Sequence, residues 1–163
     1  TGSNIGVDLN NGNPTALFAV GTHTLAWNGT EFVYVQAATS ISAFRMVAIG
    51  TVSYTAGEAS GADVLAGGQL GVAQTSISAQ AFGWVAIRGL GLTVWCNSSA
   101  TAPTTIGVFL ATQSASTGAI TVFGSGSGTL AGIQIVDGAA TTTSTGSLVT
   151  VTLTWPRGIT QQS

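Results

Sequence analysis

The chain has 163 residues, of which 45% are hydrophobic and only 5% are charged, against roughly 25% charged in an ordinary soluble domain. It has no lysine, and Arg45, Arg88 and Arg157 against five acids leave a formal charge of −2. That rules out a protein that neutralises a run of phosphates or grips an anionic membrane surface. It also rules out a disordered chain, which needs low hydrophobicity and high net charge.

No stretch is long and apolar enough for a spanning helix, because the richest, 81–96, is broken by Arg88 and glycines. Cys96 is the single cysteine, so no internal disulfide forms. The opening Thr1-Gly2-Ser3-Asn4 shows no charged segment leading into an apolar one, the pattern of a secretory signal. Free domains keep apart through surface charge. A surface this poor in charge is expected to be coated with hydroxyls or buried in an assembly, which points to a structural subunit.

In chain order, residues 1–14 read as an extended N-terminal arm and 15–163 as a single β domain. The arm is rich in Asn and Gly, carries scattered Ile5, Val7 and Leu9, and ends in Asn13-Pro14. Such a segment gains order by laying apolar side chains on a neighbouring subunit. From Thr22 to Ala37 the pattern is a hairpin. Asn28-Gly29 predicts a two-residue type I′ turn with positive φ at both positions. That turn sets Trp27 opposite Thr30, Leu25 opposite Phe32 and His23 opposite Tyr34, all on one face. His23, the sole histidine, is then expected beside Tyr34.

A weak internal repeat follows. Thr39-Ser40-Ile41-Ser42-Ala43 leads through Phe44 to Met46-Val47-Ala48-Ile49-Gly50. Thr75-Ser76-Ile77-Ser78-Ala79 leads through Phe82 to Trp84-Val85-Ala86-Ile87-Arg88-Gly89. Aligned this way, the second copy has two more residues at its turn and one before the final Gly. Each copy reads as strand, polar turn, strand, a hairpin duplicated within one barrel or sandwich. Between the copies, 56–66 admits at most one short helical turn.

Further strands are predicted near 70–75, 92–96, 106–111, 119–123 and 130–136. In Ser147–Trp155, Val149, Val151, Leu153 and Trp155 alternate with Thr150, Thr152 and Thr154, giving one buried and one hydroxyl-coated face. Roughly nine to eleven short antiparallel strands make an all-β fold, a sandwich or barrel of jelly-roll or tulip-like form.

Residues able to carry chemistry are sparse. A nucleophile needs a neighbouring base, and the chain offers one His, no GxSxG and no SxxK. The acids Asp8, Glu31, Glu58, Asp63 and Asp137 are scattered. Glu58 and Asp63 share a loop that supports at most a weak surface cation. Gly124-Ser125-Gly126-Ser127-Gly128 lacks the lysine of a phosphate-binding loop and runs into a strand-like segment. The sequons at Asn28 and Asn97 are read as chance matches. The expectation is a non-enzyme with no cofactor and no resident metal.

Four segments together carry a resemblance. They are Glu31-Phe32-Val33-Tyr34-Val35-Gln36-Ala37, Gly71-Val72-Ala73-Gln74, Phe82-Gly83-Trp84-Val85-Ala86-Ile87-Arg88-Gly89, and a last strand closing in Trp155-Pro156. They resemble the capsid decoration proteins of tailed bacteriophages, also termed cement or head-stabilising proteins, over about residues 22 to 157. The resemblance implies a β-rich virion subunit on the outer surface of the capsid, usually a homotrimer. Such a subunit binds the major capsid protein and clamps neighbouring capsomers against internal DNA pressure. No catalytic residue belongs to that family pattern. The candidate subunit or capsid contacts are Ile5, Val7 and Leu9 of the arm with Trp155 and Arg157 near the C-terminus, since Trp, Arg and apolar anchors dominate interfaces. The alternative is a phage fibre or receptor-binding head domain, also a β-rich trimer with a hydroxyl-coated surface.

Overall fold

The structure, a computed structural model, describes residues 8–9, 11–60, 63 and 68–96. Beyond them it describes the backbone at 110–112, 120–122, 128–137 and 147–159, with side chains there at 133–134, 148–154 and 156. All ten described elements are β-strands: β1 (His23–Leu25), β2 (Glu31–Ala37), β3 (Met46–Ile49), β4 (Thr55–Glu58), β5 (Gln69–Val72), β6 (Phe82–Cys96), β7 (Leu110–Thr112), β8 (Ile120–Val122), β9 (Gly128–Asp137) and β10 (Ser147–Ile159). The fold is all-β, as the alternation of apolar and hydroxyl residues predicts. The expected helical turn does not open at 56, because Thr55–Glu58 is strand β4, zipped to β3.

Five strands close a barrel. β2 pairs with β6 and, in parallel, with β4; β4 pairs with β3, β3 with β5, and β5 with β6. β6 outgrows this ring. Its second half pairs with β10, and the ladders β6–β8–β7–β9–β10 lead back to it. Between Leu153 and Arg157 the β10–β9 ladder shifts register, around Pro156, which has no N–H to give it.

Alternation sorts the side chains into two cores. One residue in two along β2, β3, β4 and β6 points into the barrel, giving a cluster of Val33, Val35, Val47, Ile49, Ala56, Val85 and Ile87. The intervening residues Phe32, Tyr34, Met46, Leu70, Val72 and Trp84 face outwards. They are covered by Leu9 and by Leu92, Val94, Val149, Val151 and Leu153 of the outer strands. β2 and the first half of β6 are therefore buried on both faces. This explains why their sequences read as nearly continuous apolar runs.

The repeat visible in the sequence is a structural pseudo-twofold. Ile41 and Ile77 pair with each other in antiparallel fashion. Around them, Phe44 N–H donates to Ala73 C=O and Gln80 N–H to Ala37 C=O, at 2.6 and 2.8 Å. Phe44 and Gln80 both adopt left-handed backbone, with φ 65° and 62°. The ladder Met46↔Val72, Val47↔Gly71, Ala48↔Leu70, Ile49↔Gln69 is matched step for step by Phe82↔Gln36, Gly83↔Val35, Trp84↔Tyr34, Val85↔Val33. Phe82, not Trp84, is thus the counterpart of Met46, and the two extra turn residues of the sequence alignment do not exist. A slip of two residues preserves which face each side chain takes, so the wrong register looks equally good in sequence.

The hairpin at Asn28 is also corrected. His23 opposes Val33, Thr24 opposes Phe32 and Leu25 opposes Glu31. Ala26 N–H donates to Thr30 C=O at 2.8 Å, leaving a three-residue loop, Trp27-Asn28-Gly29. Only Gly29 has positive φ, at 80°. Asn28 spends its side chain accepting from Thr30 N–H at 3.1 Å. This matches the three-residue hairpin loop that ends in a left-handed glycine. One extra loop residue moves every partner of β1 by one position.

Candidate docking surface

The two ends of the barrel differ. At one end the Ile41–Ile77 bridge lies across the opening, both side chains 1% exposed, and Glu58 Oε1 accepts from Ser42 N–H at 2.8 Å. At the other end lie three chain reversals. They are the Trp27-Asn28-Gly29 loop, the β3–β4 turn at 50–54, and the corner Gly89-Leu90-Gly91 where β6 leaves the barrel. The first and the last of these are in contact. Thr30 closes the hairpin loop and packs against Gly89, where an added Cβ would lie 2.6 Å from Thr30 Oγ1. Tyr54, ending the β3–β4 turn, gives its carbonyl to Gln36 N–H and lies against Gly21.

This end is apolar and exposed. Trp27 is 81% exposed, Val52 91%, Leu90 71% and Leu25 58%. The charged groups beside them are few, Arg88 and the pair His23 Nδ1–Glu31 Oε1 at 2.9 Å, and the loops also carry exposed Asn28, Thr51 and Ser53. The histidine expected beside Tyr34 sits here instead, because the register shift turns it towards Glu31. Tyr34 opposes Trp84 and stacks in an aromatic group with Phe18 and Phe82, at centroid distances of 4.8 to 6.1 Å.

Of the predicted contact residues, only Leu9 and the backbone of Trp155 and Arg157 are described. Ile5 and Val7 lie outside the described residues, as do the side chains of Trp155 and Arg157. The backbone of Arg157 is inside β10, paired with Gln69 and Ala131. Leu9 is 6% exposed and belongs to the chain's own outer core, so it is not offered to a neighbour. The described part of the arm is fastened to the barrel. Asn13 and Phe82 exchange both backbone hydrogen bonds at 2.8 Å, and Leu17 N–H donates to the Tyr34 hydroxyl at 3.1 Å. The aromatic face of β2 and β6 attracts this segment, an effect that composition alone does not reveal.

Trp27, Val52 and Leu90 were not singled out in the sequence. A two-residue turn puts Trp27 inside a strand. The signal for Leu90 was present, since a leucine between two glycines in a long strand marks a bend.

Little else at the described surface has chemical character. Asp63 Oδ2 accepts from Ser60 N–H and Oγ–H at 2.8 and 2.6 Å, so both carboxylates of the 58–63 loop hold backbone turns. No group of three or more His, Cys, Asp or Glu that could hold a metal occurs among the described residues. Cys96 is fully buried, and burial pushes its thiol up to about 11. No helix among the described residues is long and apolar enough to cross a membrane. No family model matches the chain, and no curated protein does so either.

Proposed function

We propose that the chain is a structural virion protein that decorates the outer surface of a phage capsid, with the barrel end bearing Trp27 as its docking surface on the major capsid protein. The observation that carries this reading is the exposure of Trp27 and Leu25 in the hairpin and of Leu90 at the adjoining β6 corner, on a nearly uncharged chain. Apolar residues clustered on a surface mark interaction sites, and a protruding Trp is the residue type that most often dominates one.

Two further points support it. The segments 31–37, 71–74 and 82–89, which carry the resemblance, include all of β2, the second half of β5 and the first half of β6, so the resemblance touches the folded core. The sparse charge also suits a partner that covers the surface by apolar contact, with no electrostatic steering. Several modest contacts per assembly then add through linkage, raising avidity by roughly 10²–10⁴ over a single one. The protein opposes separation of capsomers by holding their surfaces together, and it performs no chemical step.

The test is occupancy on capsids lacking the protein, measured by co-sedimentation of the full chain. Trp27→Ser combined with Leu90→Ser, both on exposed side chains, is expected to abolish co-sedimentation while leaving the far-ultraviolet spectrum unchanged. Unchanged occupancy would remove this end from the reading. Binding of wild-type protein to glycans and not to capsids would favour the fibre-head alternative.

A further inference from the structure

The chain contains two Asn-Gly pairs, Asn11-Gly12 and Asn28-Gly29. In such a pair the backbone nitrogen of the glycine can reach the side-chain carbonyl carbon of the asparagine and close a five-membered ring. Glycine permits this best, because no Cβ shields its nitrogen. The fold treats the two pairs differently.

Asn28 and Gly29 are exposed at the hairpin tip, and nothing lies within 4 Å of a Cβ added to Gly29. Asn28 Oδ1 accepts from Thr30 N–H at 3.1 Å. A backbone donor is thus already aimed at the oxygen on which negative charge develops during attack. One restraint opposes the reaction: Gly29 N–H donates to Ala26 C=O at 2.9 Å and must be released first. Asn11-Gly12 is fastened more firmly. Asn11 Nδ2 donates to Asp8 Oδ2 at 2.6 Å, which puts a carboxylate where further negative charge is disfavoured. A Cβ on Gly12 would lie 3.5 Å from Ile77 and from the Phe82 carbonyl oxygen, and the next residue, Asn13, exchanges backbone hydrogen bonds with Phe82.

We propose that Asn28 is a site of spontaneous deamidation, by which the hairpin tip gains a negative charge. Gly29 N gives its proton to hydroxide from solvent and attacks Asn28 Cγ. The N–Cγ bond forms, the Cγ–Nδ2 bond breaks, and Nδ2 leaves as ammonia with a proton taken back from water. Water then opens the ring at either carbonyl, breaking one N–C bond. The product is an aspartyl or a β-linked isoaspartyl residue at position 28. Either one adds a single carboxylate, taking the formal charge from −2 to −3, and nothing is oxidised or reduced. The reaction needs no partner. Its consequence for docking rests on the reading above: a carboxylate beside Trp27 must be desolvated against an apolar surface, which weakens binding. Docking in turn shields the tip from water, so unassembled copies age faster than assembled ones.

The test is prolonged incubation of the full chain at mildly alkaline pH, followed by peptide mapping with mass spectrometry. Asn28 is expected to show the mass gain of an amide turned acid, mostly in the isoaspartyl form, several-fold faster than Asn11. In urea both pairs are expected to react faster than in the fold, and at similar rates. Asn28→Gln, which would need a larger ring, is expected to remove the fast site. An Asn28 that keeps its amide while the urea sample reacts overturns the proposal, and so do equal rates at Asn11 and Asn28 in the folded protein. Co-sedimentation reads the consequence. Aged wild type is expected to lose capsid binding relative to fresh, and aged Asn28→Gln to bind like fresh Asn28→Gln. Fresh wild type that fails to bind defeats the docking reading and leaves the modification standing. Aged, modified protein that binds like fresh overturns the consequence for docking.

Discussion

Ile41 and Ile77 exchange backbone hydrogen bonds at 2.8 and 2.9 Å, and their side chains plug the same barrel end from two equivalent positions. The same pseudo-symmetry sets the inside of the barrel. Val47 faces Gly71 across one ladder and Val35 faces Gly83 across the other, equivalent pairs in the two copies. A barrel of five strands is too narrow for a branched side chain at every inward position, so each valine is matched with a position that has none. The glycines are a packing requirement. A Cβ on Gly71 would lie 2.5 Å from Val85 Cγ1 and 2.8 Å from the Ala86 carbonyl oxygen.

Gly71→Ala is therefore expected to destabilise the fold by about 1–3 kcal/mol, the usual cost of overpacking a filled core. Gly83→Ala is expected to cost less. Its Cβ meets only the Ile77 side chain, at 2.7 and 2.9 Å, and a side chain yields more readily than a carbonyl. Urea unfolding midpoints check the order. Equal midpoints for wild type and Gly71→Ala would show that the barrel interior has spare room.

Much of this architecture is legible in the sequence, and the failures share a cause. Ser147 to Trp155 alternates so cleanly that its buried side is evident beforehand, and Val149, Val151 and Leu153 are at most 2% exposed. The Ile41 and Ile77 repeats are equally visible. Sequence alternation has period two, however, and cannot tell a register from one shifted by two, which is why Trp84 was matched to Met46. It also cannot count loop residues. Asn28-Gly29 is compatible with a two-residue and a three-residue loop, and the choice decided whether Trp27 belonged to a strand or to the exposed tip. Leu9 in the arm failed for a different reason, because its burial depends on an aromatic face assembled from β2 and β6.

The loop geometry is open to a direct check. Gly29 has φ 80° and nothing within 4 Å of an added Cβ, so substitution there meets only backbone strain. Gly29→Ala is expected to cost about 1–2 kcal/mol, the penalty for left-handed backbone in an L-residue, and Gly29→Asn noticeably less. Asn28→Ala removes the acceptor for Thr30 N–H but no positive φ, so it is expected to cost about 1 kcal/mol or less. Were the turn of type I′, with Asn28 left-handed too, Asn28→Ala would carry the same backbone penalty as Gly29→Ala. Thermal unfolding of the three variants separates the two geometries.

Thr30 offers a gain. Its side chain is 1% exposed beside Gly89, and its hydroxyl has no hydrogen-bond partner. A buried polar atom without a partner costs about 1–3 kcal/mol. Valine has the same branched shape without the hydroxyl, so Thr30→Val is expected to stabilise the protein by about 1 kcal/mol, read as a higher urea midpoint at unchanged slope. A lower midpoint would mean that the hydroxyl is satisfied in solution, for example by a trapped water.

Cys96 gives the protein a pH limit. Its thiol is raised from 9.0 to about 11 because burial disfavours the thiolate. The unfolded chain, with the ordinary value, binds fewer protons than the folded one between these two pH values. The contribution is therefore fully present below pH 9.0 and falls as pH rises towards 11, and the loss reaches about 2–3 kcal/mol once both forms are ionised. Chemical denaturation at pH 8, 9.5 and 11 is expected to show this decline, and Cys96→Ala to flatten it. The same burial leaves the native thiol neutral and shielded, so a disulfide reagent at pH 8 is expected to react only at the rate of unfolding. Fast labelling of the native protein would place Cys96 at the surface and contradict its packing between Val94 and β10.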